Sequence, residues 1–188
     1  MKHFALMNIV VGAMLSVLPA IQVGAASHGK DPTKETVLIG VQTVAAGTQN
    51  EMAVKLELES AKPMLMPAGT HGNAAMVMEP QPDQKYHFEV KPEDPKSKTR
   101  IPYVAVRVSA VNTNSGKTVE VDLHPIWGSS GLHYAANGAL PGDGADTATV
   151  VVSTPTFARD ALKDKDRWTR PSKADFRFRL EKGLIVVD

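Results

Sequence analysis

The sequence contains no cysteine. This absence excludes a disulfide scaffold, a thiol nucleophile and a thiolate zinc site, so histidine, methionine and carboxylate side chains are left as ligands for a tightly bound metal. The sequence also lacks an excess of either charge, since it has 21 Lys and Arg against 20 Asp and Glu. Because there is no basic surplus to neutralise phosphates, we do not expect nucleic acid as a partner.

The N-terminal segment, residues 1–26, has the pattern of a cleaved secretory signal peptide. Lys2 and His3 precede a mainly apolar run, and the segment ends in the small residues Gly24, Ala25 and Ala26. Polar residues interrupt the run, which disfavours a permanent membrane span. We therefore expect residues 27–188 to form a single exported domain that has no stable insertion in the membrane.

Alternation of apolar and polar residues dominates the rest of the chain and predicts strands. No segment after the signal keeps a helical period for three turns. About seven short strands with Gly-rich and Pro-rich connections are typical of an all-β, antiparallel β-sandwich. The predicted strands cover residues 51–59, 86–90, 101–111, 117–123, 148–153, 174–180 and 184–187.

Two stretches contain too many Pro or Gly residues for the interior of a strand, and we predict both to be long loops. The first covers residues 62–84 and the second residues 125–146. Loops of this length in a compact domain usually carry function.

Three side chains are suited to bind one metal ion. His87 and Glu89 lie two positions apart on a predicted strand, so they project from the same face, and His133 lies in the second predicted loop. The alternative is a solvated strand face and an unrelated loop histidine. The spacing alone leaves both interpretations open.

The first predicted loop is rich in methionine. Thioethers and imidazole bind copper well, but methionine also fills irregular apolar gaps, so these residues could instead dock the loop on the sandwich. His124 follows the strand at 117–123, so it is either a further ligand or a strand-end residue, and we favour the strand-end interpretation. The methionines form two Met-x-Met pairs on either side of His71, at Met64, Met66, Met76 and Met78.

Five short motifs follow one another in the order and spacing of a known family. The chain from about residue 37 to residue 180 resembles the bacterial periplasmic iron-transport proteins of the Tpd type, and the motif around His133 is the most specific. The motifs are Tyr86-His87-Phe88-Glu89, Ile101-Pro102-Tyr103-Val104, Asn112-Thr113-Asn114-Ser115-Gly116, Gly131-Leu132-His133-Tyr134-Ala135-Ala136-Asn137 and Trp168-Thr169-Arg170-Pro171.

The resemblance implies an immunoglobulin-like, cupredoxin-like β-sandwich in the periplasm, usually a homodimer. Such proteins bind copper near a second cation site and assist ferrous-iron uptake alongside an inner-membrane permease. The copper ligands of the family match this sequence at His87, Glu89 and His133. Two family ligands are missing, because a methionine is replaced by Ile126 and the segment 157–167 contains no histidine. We hypothesise that Met64, Met66 or His71 replaces them.

The sequence therefore favours a periplasmic protein that binds a copper ion, an iron ion or both, and hands iron to a permease. The first alternative is a copper carrier or scavenger that uses the Met-rich loop and has no part in iron uptake. The second is a structural sandwich that has lost its metal site. A hydrolytic enzyme is the least favoured class, because no set of acid, base and nucleophile can be assembled from the motifs.

Overall fold

Every regular element in the described part of the chain is a β-strand. The structure is a computed structural model that describes residues 36–45, 51–66 and 76–187. The predicted signal peptide and His71 lie outside those residues. The strands are β1 Val37–Ala45, β2 Glu51–Ser60, β3 Met64–Met66, β4 Met76–Met78, β5 Tyr86–Glu93, β6 Val106–Asn112, β7 Thr118–Gly128, β8 Gly131–Gly138, β9 Gly144–Val152, β10 Ser172–Glu181 and β11 Leu184–Val186.

Nine of these strands form one continuous antiparallel arrangement in the order β1-β2-β5-β8-β7-β6-β9-β10-β11. Strand β7 belongs to two layers, because its first half pairs with β6 and its second half, from His124 to Gly128, pairs with β8. The first layer is β1-β2-β5-β8 and the second is β6-β9-β10-β11. The predicted all-β antiparallel sandwich is confirmed.

The two layers bury an apolar core between them, and this core follows from the alternation in the sequence. On β10 every second residue is buried, and the residues between them are exposed. The inward residues come from all the long strands and include Met52, Val54, Leu56, Leu58, Phe88, Val90, Val108, Ala110, Val150, Phe176 and Phe178.

The edges of the two layers meet between β1 and β10, so the sandwich is nearly closed like a barrel. The side chain of Gln42 on β1 accepts a hydrogen bond from the backbone amide of Asp175 on β10 at 3.1 Å and donates one to the carbonyl of the same residue. Between β1 and β10, the side-chain amide of Gln42 thus forms the kind of hydrogen bonds that backbone groups form between paired strands. No helix of the described residues is long and apolar enough to cross a membrane.

The prediction of a long loop at residues 62–84 is wrong in part. The described portion contains a two-stranded ribbon, β3–β4, in which Met64 pairs with Met78 and Met66 pairs with Met76. Because paired residues project from the same side, the ribbon has all four thioethers on one face. Leu65 lies on the opposite face and is 72% exposed.

The prediction of a long loop at residues 125–146 is also wrong, because this stretch holds the end of β7, all of β8 and the start of β9. Four of its glycines, Gly128, Gly131, Gly138 and Gly144, lie at strand ends, and Gly142 lies in the short connection between β8 and β9. Pro125 is tolerated within β7 because this half of the strand pairs only with β8. Proline has no backbone N–H, and no second neighbouring strand needs a hydrogen bond from it.

The remaining differences are at strand boundaries. The strand predicted from residue 101 begins at Val106, after Tyr103 has adopted a positive φ of 55°. Strand β1 was not predicted from its pattern. The strands predicted around residues 51–59, 86–90, 148–153, 174–180 and 184–187 are present.

Candidate metal centre

The polar residues of β5 lie on the outer face of the first layer, opposite the apolar core. In the register of the sheet, Glu59 on β2 pairs with His87, which pairs with Asn137 on β8. Although they face away from the core, His87 is 1% exposed and Glu89 is 7% exposed. The alternative of a solvated strand face is therefore wrong.

These side chains are buried because other segments cover this face and enclose a cavity of about 730 Å³. Lys62 and the ribbon strand β3 form one wall, and the second half of β7 with its turn forms another. The cavity is lined by His87, Glu89 and His133 together with Glu57, Glu59, Lys62, Met64, Met66, Lys91, His124, Ile126 and Trp127.

Ligand atoms from three strands converge in this cavity. One nitrogen of His87 and one oxygen each of Glu59 and Glu89 all lie within 4.8 Å of one another. His87 Nε2 lies 3.8 Å from Glu89 Oε1 and 4.0 Å from Glu59 Oε1. His133 Nε2 lies 3.7 Å from the same oxygen of Glu89. Both imidazoles therefore face one carboxylate oxygen, and the structure brings His87, Glu89 and His133 together.

The orientation of the His87 ring is fixed by Asn137. The Asn137 side chain is itself oriented by the backbone of Lys62, because its Nδ2 donates to the Lys62 carbonyl at 2.8 Å and its Oδ1 accepts from the Lys62 amide at 3.3 Å. That leaves Oδ1 as the acceptor 2.9 Å from His87 Nδ1. The proton of a neutral ring is then on Nδ1, and the lone pair of Nε2 points into the cavity.

Burial keeps the His87 ring neutral. Loss of solvation lowers the pKa of His87 below its ordinary value, against the smaller opposing effect of the Asn137 hydrogen bond. Although it is buried, Nε2 has no hydrogen-bond partner among the described residues. A buried nitrogen without a hydrogen-bond donor is costly, so His87 Nε2 lacks the cation or proton that it needs.

His133 lies in strand β8 and not in a loop, and the turn between β7 and β8 makes room for its ring. A Cβ placed on Gly128 would lie 2.8 Å from His133 Cε1, so only glycine allows the ring to pack on this backbone. His133 Nδ1 lies 2.9 Å from the carbonyl oxygen of Gly131, to which it donates. Its Nε2 is thereby directed at Glu89.

Two lysines neutralise the carboxylates of the centre. Lys62 forms an ion pair with Glu59 Oε1 and lies 3.3 Å from Glu89 Oε1. Lys91 forms an ion pair with Glu57 and lies 3.1 Å from the other oxygen of Glu89, Oε2. The Lys62 ammonium therefore occupies the side of Glu89 that faces the imidazoles, and the Lys91 ammonium occupies the side that faces away.

The pKa values of the buried ions reflect this pairing. Burial alone would raise the pKa of Glu89, but the hydrogen bond from Lys91 and the charges of His133, Lys91 and Lys62 lower it to about 2. Burial alone would lower the pKa of Lys91, but Glu57 and Glu89 raise it. At neutral pH the carboxylate of Glu89 is ionised and available to a cation.

Two of the three replacement ligands suggested by the sequence lie in the described part of the chain. Met64 and Met66 line the same cavity as His87, whereas His71 lies outside the described residues. Ile126, which stands where the family has a methionine, is the cross-strand neighbour of His133. The thioethers of Met64 and Met66 and the apolar side chain of Ile126 thus line the same cavity.

Sequence reasoning missed Glu59, Lys62 and Asn137. The alternation of β2 does put Glu59 on the polar face of its strand, but only the pairing of β2 with β5 makes it the neighbour of His87. Lys62 follows three residues later, at the end of that strand, and nothing in its local sequence indicates a reach to Glu89. The side chain of Asn137 acts through hydrogen bonds to residue 62, which is 75 positions away.

Comparison with solved structures finds the same fold in two bacterial proteins. FetP from uropathogenic E. coli is 22% identical, with a TM-score of 0.60 over 77% of this chain and 95% of that chain. The copper-reconstituted P19 protein from Campylobacter jejuni is 22% identical, with a TM-score of 0.57 over 78% of this chain and 96% of that chain. A copper-bound variant of FetP matches with a TM-score of 0.59 at 22% identity, over 78% of this chain and 97% of that chain.

No curated protein sequence matches the chain. The family model described as Fe2+ transport protein matches residues 40–181, which contain the whole of the cavity wall formed by β2, β5, β7 and β8. This match covers most of the chain and confirms the resemblance inferred from the motifs. The chain belongs to the Fe2+ transport protein family.

Proposed function

We propose that this protein binds a copper or ferrous ion at Glu59, His87, Glu89 and His133 and serves iron uptake in the periplasm. The observation that carries the proposal is His87 Nε2, which is buried, has no hydrogen-bond donor among the described residues, and lies within 4.0 Å of two carboxylate oxygens. A bound cation would satisfy all three acceptors at once. His133 Nε2, which lies next to the shared oxygen of Glu89, would be a fourth ligand atom for the metal.

The donor set suits the metals that the comparisons suggest. Two imidazoles with carboxylates bind copper and iron, and the arrangement differs from the closed tetrahedral site of structural zinc. P19 and the FetP variant are described as copper-loaded. The family is described as an Fe2+ transport family, so we assign copper as a bound cofactor and ferrous iron as the transported ion.

Metal binding at this centre requires the Lys62 ammonium to leave. It is the cation that contacts the imidazole-facing oxygens of both Glu59 and Glu89. Its side chain is 45% exposed, so it can move into solvent while the backbone remains held by Asn137. A divalent ion in its place would balance the two carboxylates, and Lys91 would go on neutralising Glu57.

The partners remain proposals that rest on the family resemblance. We propose that the protein is a homodimer and that it passes iron to an inner-membrane permease. Large apolar side chains beside the cavity support a contact surface there, since Trp127 is 80% exposed and Leu65 is 72% exposed. The periplasmic location rests on the predicted signal peptide and on the resemblance.

The proposal is tested by titrating the mature protein, residues 27–188, with Cu(II) and with Fe(II) under anaerobic conditions. We expect one equivalent at the centre, and loss of at least tenfold in affinity for His87→Ala and for Glu89→Gln, because each removes a ligand that no neighbour replaces. Glu93→Gln is the matched control, since it neutralises a carboxylate on the same strand that is paired with Arg100. Equal affinity in wild type and Glu89→Gln would refute the centre.

Elemental analysis of protein purified from the periplasm separates this function from the structural alternative. The proposal predicts copper or iron at close to one equivalent. A protein free of both metals that also fails to bind them in the titration would favour a sandwich without a metal function.

A further inference from the structure

We propose a second metal site that is specific for Cu(I), formed by Met64, Met78 and His124. These residues line a separate cavity of about 400 Å³ between the β3–β4 ribbon and β7. His87 and His133 do not line it. The proposed site therefore stands on a different set of ligands from the centre described above.

The ribbon brings its two thioethers together by strand pairing. Met64 and Met78 are directly opposite each other in the antiparallel register. Directly opposed residues have Cβ atoms about 5 Å apart on one face, so two flexible Met side chains can reach one ion. His124 projects from β7 into the same cavity and adds an imidazole.

The exposure of these side chains argues against a purely packing role. Met78 is 41% exposed and Met76 is 62% exposed, so these thioethers are not filling a gap in an apolar core. His124 is exposed as well. Side chains that were selected only to dock the ribbon would be buried against the sheet, as Met52 is in the sandwich core.

The chemistry of the donors selects a soft monovalent ion. Two thioethers and one imidazole are neutral, and such ligands prefer Cu(I) over Fe(II), which takes carboxylate and imidazole ligands. Asp122 also borders the cavity, but its two oxygens accept hydrogen bonds from Arg107 at 2.6 and 3.0 Å. Glu120 and Asp83 border the cavity too; Glu120 lies 3.6 Å from the same guanidinium, and Asp83 is exposed to solvent. Because Asp122 and Glu120 are paired with Arg107, the thioethers and the imidazole set the metal preference of the site.

The two cavities share part of their lining. Met64 and His124 line both the second site and the cavity that contains His87. Met64 would therefore lie beside an ion held in either cavity.

The test is Cu(I) binding by the mature protein in competition with a chromogenic Cu(I) chelator. We expect one Cu(I) equivalent to survive in the His87→Ala/His133→Ala variant and to be lost when Met78→Leu/His124→Asn is added. Met76→Leu is the matched control, because this thioether lies on the same face of the ribbon but lines neither cavity. Complete loss of Cu(I) binding in His87→Ala/His133→Ala alone would overturn the second site and leave the first intact.

A spectroscopic measurement on the wild-type protein tests the site without variants, whose loss of binding could come from misfolding. Methionine methyl groups labelled with ¹³C are followed by NMR while Ag(I), a redox-inert analogue of Cu(I), is added to the wild-type protein. The proposal predicts that Met64 and Met78 shift together at the first equivalent and that Met76 does not. A first equivalent that shifts Met76 and leaves Met78 unchanged would refute the assignment.

Discussion

Replacement of Lys62 by glutamine tests whether the Lys62 ammonium competes with the metal ion for the carboxylates of the centre. The Lys62 ammonium contacts Glu59 and Glu89 on the side that faces both imidazoles. A metal ion must break these contacts, so their strength is subtracted from its affinity. Lys62→Gln removes the charge and keeps a side chain of similar length.

The size of the effect follows from the exposure of the lysine. Its side chain is 45% exposed, and an ion pair that is open to solvent contributes up to about 1 kcal/mol. Two such contacts correspond to about 1–2 kcal/mol, which is a gain of about 5- to 30-fold in metal affinity. Raising the salt concentration should reduce the gain, because these contacts are screened.

The assay is competition between the protein and a chelator for Cu(II), with Lys55→Gln as the matched control. Lys55 lies on the same face of β2 and is paired with Glu57, so its replacement removes the same charge without uncovering Glu59 or Glu89. We expect less than about a twofold change in the control, because the charge is separated from the metal by the Glu57 pair. An equal gain in both variants, or none in Lys62→Gln, would contradict the competition between Lys62 and the metal.

Two further predictions concern the turn next to His133 and the pH dependence of stability. Gly128→Ala should weaken Cu(II) binding by about 10- to 100-fold, since its Cβ would lie 2.8 Å from His133 Cε1 and displace a ligand ring. Ser130→Ala in the same turn is the control, and equal affinities for the two variants would contradict this role of Gly128. Burial, with the charge of Asp143, raises the pKa of Asp146 to about 6, so the folded state binds this proton more tightly than the unfolded state. This carboxyl should therefore lower stability progressively from about pH 4 to pH 6, and by up to about 3 kcal/mol above that range. Denaturant unfolding should show Asp146→Asn to be more stable than wild type at pH 8 and equal to it at pH 4, and a variant that is no more stable at pH 8 would refute the effect of burial.

Much of the fold follows from period-2 alternation, because most long strands bury one face in the core and leave the other face polar. Strand β10 is the clearest example, with buried and exposed residues alternating from Ser172 to Glu181. The same alternation correctly placed His87 and Glu89 on one face. It could not indicate that this face is covered, because the cover is formed by the ribbon between β2 and β5 and by the second half of β7, which lies about 30 residues after β5.

Strand β8 could not be predicted because it lacks alternation. Six consecutive residues at its end are buried, since one face packs on the core and the other on the covered polar centre. Small residues and flanking glycines then resemble a loop. His133 was therefore predicted to lie in a loop, although the sequence already indicated it as a candidate ligand.

The residues that complete the site depend on contacts between strands. Glu59 becomes a neighbour of His87 only through the register of β2 against β5. Asn137 and Lys62 act together through hydrogen bonds between segments 75 residues apart. No local pattern encodes such contacts. The sequence therefore indicated the two imidazoles and the carboxylate of Glu89, but not Glu59 or Lys62.

Anomalous diffraction from crystals soaked with copper tests the central claim most directly, since it locates the ion and its ligands together. The account predicts a peak at bonding distance, about 2 Å, from His87 Nε2 and His133 Nε2, with the Lys62 side chain withdrawn from Glu59 and Glu89. A fully occupied copper peak elsewhere, with the ammonium of Lys62 still between the two carboxylates, would contradict it.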